Sequence, residues 1–240
     1  MINSFYALQV IVMVAIVMAT LFTAWESNSL RGGEFEVFEP AGGTQGPQGA
    51  TVTPRPRRIG VVAGHYGSDS GAVCADGLTE AELNLAVATS VQKELIAKGF
   101  EVDLLKEFDS RLAGYSALSL VSIHADSCLY TNDLATGFKV APASATAQSD
   151  KSARLASCLR ARYGRDTGLP FHIGSITIDM TNYHAFDEIN PDTPAAIIET
   201  GFMNLDRQVL TEHQDRVAQG ITDGILCYIY NENIELTPQP

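Results

Sequence analysis

A chain of 240 residues, 45% hydrophobic and 18% charged, suits one ordinary domain with extensions, and its composition is neither disordered nor collagen-like. Its 16 Lys and Arg against 28 Asp and Glu leave a formal charge of −12, and no basic run is clustered enough to hold a phosphate backbone, so nucleic acid is excluded as a partner. Four Cys without C-x-x-C spacing are too few for a disulfide-built miniprotein and do not make a zinc ribbon.

The stretch Phe5 to Trp25 contains no charged side chain. As a helix it would span ~31 Å, about one bilayer core, with Tyr6 and Trp25 at the two interfaces. Val17-Met18-Ala19 offers a passable signal-cleavage site. No Lys or Arg precedes the run, however, and the run is long, so residues 1–25 read better as an uncleaved membrane anchor. Residues 26–57 read as a flexible tether: Ala41 to Ala50 is rich in Gly, Gln and Pro, and Pro54 and Pro56 stiffen its end. A folded domain is expected over 58–230, followed by a polar tail at 231–240. Behind an anchor or a signal peptide alike, that domain is expected to be extracytoplasmic.

Within the domain, Ile59 to Val62 is a continuous apolar run, as are Leu118 to Ile123, mostly, and Ala195 to Ile198. Such runs suggest strands covered on both faces. Phe100, Val102 and Leu104 alternate with Glu101 and Asp103, the pattern of an edge or half-buried strand, and Gly137 to Ala141 is a further strand candidate. Thr79 with Glu82 forms a capping box, after which Leu83, Val87, Val91 and Leu95 recur every four residues and Gly99 supplies a stop. A second helix is predicted from Ser149 to Tyr163, stopping at Gly164, and a last one from about Asp206 to Tyr230. The order β-α-β-β-β-α-β-α predicts an α/β fold, a mostly parallel twisted sheet with helices on both faces.

Three predicted strands end in chemistry. His65 follows the first, His124 the third, and Glu199 ends the strand Ala-Ala-Ile-Ile-Glu. The carboxyl ends of strands line the binding crevice of an open α/β sheet. Glu80 adds a carboxylate at the start of the first helix. Two imidazoles and a carboxylate suit a catalytic zinc with one open position, and a second carboxylate outside that set suits a general base. Glu82 is the better capping partner, which leaves Glu80 free to point away. His65, Glu80 and His124 are therefore the expected ligands and Glu199 the expected base.

These residues resemble the zinc-dependent N-acetylmuramoyl-L-alanine amidases. The resemblance rests on Gly64-His65, on Glu80 followed by Leu83-Asn84-Leu85, on Ser122-Ile123-His124-Ala125 and on Glu199-Thr200-Gly201-Phe202, in order over about 59–230. It implies zinc held by His65, Glu80 and His124, with Glu199 catalytic. It also implies peptidoglycan as substrate, cut at the amide between N-acetylmuramic acid and L-alanine. The chain departs from the family pattern in Val62-Ala63 before Gly-His, in Met203-Asn204, and in the short segment Asp109 to Ser116. None of these removes a proposed metal group; all bear on the shape of the cleft. A zinc peptidase acting on stem peptides and a non-catalytic wall-binding domain are the two rival readings. No inhibitory insertion is evident, which leaves gating by a partner protein open.

Cys74 and Cys128 lie in loops expected at the same end of the sheet, and an exported domain suits a disulfide between them. Cys158 and Cys227 fall on two helices and read slightly better as buried thiols. His184 has a weaker claim to the cleft than to an ordinary structural place, and His172 and His213 carry no pattern.

Overall fold

The computed structural model describes residues 57–144 and 146–234. The expected anchor at 1–25, the expected tether up to residue 56 and residues 235–240 of the expected tail lie outside them. Among the described residues no helix is long and apolar enough to cross a membrane.

Five strands make one sheet: β1 (Arg58–Ala63), β2 (Glu101–Leu105), β3 (Ser119–Asp126), β4 (Lys139–Pro142) and β5 (Ala195–Phe202), in the order β2-β1-β3-β5-β4. The first four strands in that order pair in parallel, and β4 joins the edge antiparallel. The continuous apolar strands β1, β3 and β5 occupy the centre, and the alternating β2 is an edge, as its pattern predicts.

The helices are α1 (Glu80–Ala97), α2 (Ser149–Thr167), the short α3 (Ile178–Thr181) and α4 (His184–Glu188), then α5 (Arg207–Glu212) and α6 (Gln214–Ile229). The capping box forms at the start of α1: the Glu82 N–H donates to Thr79 Oγ1, and the Thr79 N–H donates to Glu82 Oε2. Gly164 does not stop α2. The helix runs on to Gly168, which takes the left-handed conformation at φ 74°, while Gly164 leaves room for the Phe138 ring. The predicted last helix is broken at His213 into α5 and α6.

Both faces of the sheet are covered, but unequally. Ile59, Val61, Ala63, Val121, Ile123 and Ile198 face α1, α2 and α6. Val62, Leu120 and Ile197 face the other way, onto Leu112, Tyr115, Met180 and Phe186 from short segments. The chain moves outward from β1 to β2 and then back across β1 to β3. Right-handed crossovers put those two connections on opposite faces. Residues 106–118 are too few for a long helix, so the second face is closed by a 3-10 turn, α3 and α4.

Two disulfides brace the domain. Cys74–Cys128 joins the loop after β1 to the loop after β3, as expected. Cys158 and Cys227, expected as thiols, are instead bonded to each other between α2 and α6. The cause is close helix packing. A Cβ on Gly220 would lie 2.9 Å from the Tyr163 Cα, and one on Gly224 would lie 2.8 Å from the Leu159 Cα. The two backbones thus approach until the Cys158 and Cys227 Cα atoms are 5.7 Å apart, within bridging range.

Candidate metal centre

The parallel strands deliver their last residues to one rim of the sheet. β1 runs out at Ala63, and the Gly64 N–H still bonds to the Ile123 carbonyl of β3. His65 then turns into the left-handed region at φ 64°, a conformation that costs free energy for a side-chain-bearing residue and sends the chain away from the sheet. His124 lies at the end of β3, in register with Glu199 of β5. Glu80 opens α1 and returns to the same place: its Oε2 accepts the Ala72 N–H at 3.0 Å, and its Oε1 accepts the Ala125 N–H at 3.2 Å. Because Glu82 holds the cap, Glu80 is free for this inward position.

His65, Glu80 and His124 converge, with one candidate ligand atom from each lying within 4.8 Å of the others. Glu80 Oε1 lies 3.3 Å from His65 Nε2 and 3.3 Å from His124 Nδ1. At the far side of its ring, His65 Nδ1 meets Asp69 Oδ1 at 2.7 Å. Metal-ligating imidazoles are commonly oriented by an outer carboxylate in this way. Two imidazoles and a carboxylate with an oriented outer partner are residues that fit a divalent transition metal, zinc above all. Gly64 and Gly71 keep the space clear. A Cβ on Gly64 would enter the His124 ring, and one on Gly71, whose φ is 59°, would lie 2.6 Å from Glu80 Oε2.

The electrostatics follow the geometry. Burial pushes the Glu80 carboxyl up, but its bonds to His124, His65 and the Ala72 N–H together outweigh that and hold it well below the usual carboxylate range. The His65 imidazole is raised to about 9, chiefly by its bond to Glu80. Burial lowers His124, and the carboxylates of Glu80, Glu199 and Glu107 more than restore it.

Glu199 stands apart from the trio. It lies between His124 in β3 and Lys139 in β4, its register partners on either side. Its Oε2 is shut away from water without a hydrogen-bond partner. Burial pushes its carboxyl up to about 7, against the pull of His124 and Lys139. A carboxylate that exchanges a proton near neutrality is suited to general base and acid work.

Sequence reasoning missed three contributors. Asp69 orients His65 from an exposed loop and carried no signal. Lys139 is buried and paired with Asp126 beside Glu199; only a lone cation in an apolar strand pointed to it. Glu107 is buried beside the site and follows β2 much as His65 follows β1, so the same end-of-strand signal would have found it. His184 reaches the site's outer edge, where it bonds to Glu107 and Glu188.

The model of the N-acetylmuramoyl-L-alanine amidase family matches residues 59–227, which include the trio and Glu199. The chain belongs to that family. Solved structures agree on the fold. The N-acetylmuramoyl-L-alanine amidase AmiC2 of Nostoc punctiforme is 23% identical with a TM-score of 0.56, over 73% of this chain and 99% of that one. An N-acetylmuramoyl-L-alanine amidase from Clostridium difficile 630 is 23% identical with a TM-score of 0.58, over 75% and 100%. The CwlD amidase of Clostridioides difficile, solved in complex with the GerS lipoprotein, is 22% identical with a TM-score of 0.54, over 72% and 98%. No curated protein matches the chain significantly. As an amidase-family domain, this one carries two disulfides, one of which ties the loop between His65 and Glu80 to the loop that follows His124.

Proposed function

We propose that the chain hydrolyses the amide bond between N-acetylmuramic acid and L-alanine in peptidoglycan, with zinc held by His65, Glu80 and His124 and with Glu199 as general base. The observation that carries this is the convergence of the three ligand atoms within 4.8 Å, inside a segment that matches the amidase family. When bound, zinc supplies Lewis acidity, which polarises the amide carbonyl and lowers the pKa of water from about 15.7 toward about 7.

The chain's own residues do the rest. Asp69 and Glu80 hold the His65 ring in place, and Asn84 bonds to both Glu80 Oε1 and the Gly64 carbonyl, tying α1 to the end of β1. Glu199 takes a proton from the water that attacks the amide carbon. It passes that proton to the nitrogen as the carbon–nitrogen bond breaks, so a carboxylic acid and an amine leave. The carboxyl near pH 7 is suited to both transfers.

The same proposal puts the domain outside the cytoplasm, tethered through 26–57 to a membrane anchor at 1–25. The uncharged run from Phe5 to Trp25 supports it, as do the two disulfides, which persist in oxidising compartments. The decisive test is digestion of purified peptidoglycan by the full chain with added zinc, read by mass spectrometry, alongside Glu199→Gln. Wild type should free intact stem peptides from glycan. The variant should bind zinc and turn over about 10²–10⁴ times more slowly. Shortened stem peptides would instead mean a peptidase, and zinc-dependent binding without cleavage would mean a wall-binding domain.

A further inference from the structure

Glu107 has no part in the reaction described above, yet it is one of the most heavily used side chains in the domain. It is buried, lies in the connection after β2, and ties that connection to two further segments, the turn after β1 and the start of α4. Its Oε2 accepts the backbone N–H of His65 at 2.7 Å. Its Oε1 accepts the Tyr183 hydroxyl at 2.8 Å and meets His184 Nε2 at 3.0 Å. The remaining nitrogen of His184 meets Glu188 at 2.8 Å, and its ring stacks on Phe108, so His184 is itself fixed.

Two features tie this carboxylate to the trio. First, it secures the turn that carries His65. At the end of β1 the Gly64 N–H points toward β3 and the His65 N–H points to the β2 side, where Glu107 stands in for a strand carbonyl. A charged acceptor there holds His65 in its left-handed conformation. Second, Glu107 faces the outer nitrogen of the other imidazole. His124 Nδ1 points at Glu80, and His124 Nε2 is buried without a hydrogen-bond partner; the carboxylate oxygen facing it is Glu107 Oε2, at an ion-pair distance of 3.7 Å. The Tyr183 ring meets the His124 ring edge-on and closes the same pocket.

We infer that Glu107 is a positioning residue of the metal centre, fixing His65 through its main chain and His124 through its outer ring nitrogen. Asp69 plays the corresponding part at the His65 ring. The inference rests on the zinc reading above and goes beyond it, because it commits His124 to binding through Nδ1 and gives one carboxylate a hold on both histidines.

The test is zinc affinity of the full-length chain, measured by competition with a chromophoric chelator, for wild type and the isosteric Glu107→Gln. Thermal melts of the two metal-free proteins run alongside. Loss of an outer carboxylate partner should weaken zinc binding by about 10–100-fold. A purely structural Glu107 would shift the metal-free melting temperature and leave the zinc dissociation constant at the wild-type value, which would overturn the inference while the zinc reading stood. A wild-type chain that takes up no zinc would overturn both. Wild type alone supplies a second measurement should the variant not fold. In long-range proton–nitrogen spectra of the zinc-loaded protein, His124 should be protonated at Nε2 and metal-bound at Nδ1; the reverse assignment would overturn the inference.

Discussion

Gly64→Ala adds one methyl group at a position whose backbone does not need glycine's conformational freedom, since its φ lies outside the left-handed region. Any effect is therefore steric. The new Cβ would be built into the His124 ring, 2.6 Å from Nδ1, the atom proposed to bind zinc. The nearest ring atom, Cε1, would lie only 2.4 Å away, and ordinary van der Waals contact begins at 3.4 Å, so ring and strand must separate by 3.4 − 2.4, or 1.0 Å. The Gly64 backbone has little room to yield. Its N–H bonds to Ile123 at 2.9 Å and its carbonyl accepts from Asn84 at 3.1 Å. His124 must then move, and a misplacement of about 1 Å in a reacting constellation costs about 10²-fold in rate. Overpacking should also lower stability by about 1–3 kcal/mol. The assay is kcat/KM on a soluble muropeptide, measured well below the melting temperature so that both proteins are folded. Activity within a few-fold of wild type, with unchanged zinc affinity, would refute the placement of Gly64 against His124.

Other consequences are as definite. Only the ionised form of Glu199 can act as base, so kcat/KM should rise about tenfold per pH unit up to a limb at or below about 7, with the positive charge of bound zinc moving it downward; a profile flat from about pH 4 to about pH 8 would remove Glu199 from that role. In metal-free protein the His65 imidazole is raised from 6.5 to about 9, so its pairing with Glu80 stabilises the fold fully below 6.5 and is lost as pH rises through 9. The wild-type melting temperature should fall across that window more than that of His65→Gln, and equal slopes would contradict the pairing. The Cys158–Cys227 bond spans 69 residues, which corresponds to ~4 kcal/mol of chain entropy. Replacing both with Ala should lower the melting temperature by about 8–16 °C; two freely alkylated thiols in the unreduced wild type would deny the bond. Zinc at about 100 times its dissociation constant should raise stability by ~2.7 kcal/mol, read as a melting shift that a chelator reverses.

The local features were legible because their causes are local. The capping box at Thr79 and Glu82 needs only residues three apart, and the apolar runs of β1, β3 and β5 announce strands buried on both sides. The positions of His65, His124 and Glu199 were also legible, since a polar group ending an apolar strand lies toward the sheet's rim. Placing Glu80 with them followed from Glu82 being the cap. What sequence could not supply was distance between elements. Gly164 reads as a helix stop but serves as space for Phe138. The bond between Cys158 and Cys227 depends on how closely two helices lie, set by Gly220 and Gly224 against Tyr163 and Leu159. Glu107 shows the limit most clearly. Its partners His65, Tyr183 and His184 are 42, 76 and 77 residues away, and only the folded sheet brings them to one carboxylate. Sequence alone therefore placed the candidate side chains at strand ends and at one helix start, because periodicity and capping act over a few residues. The tertiary structure decided which groups orient them, because hydrogen bonds act over about 3 Å in space and carry no signature along the chain.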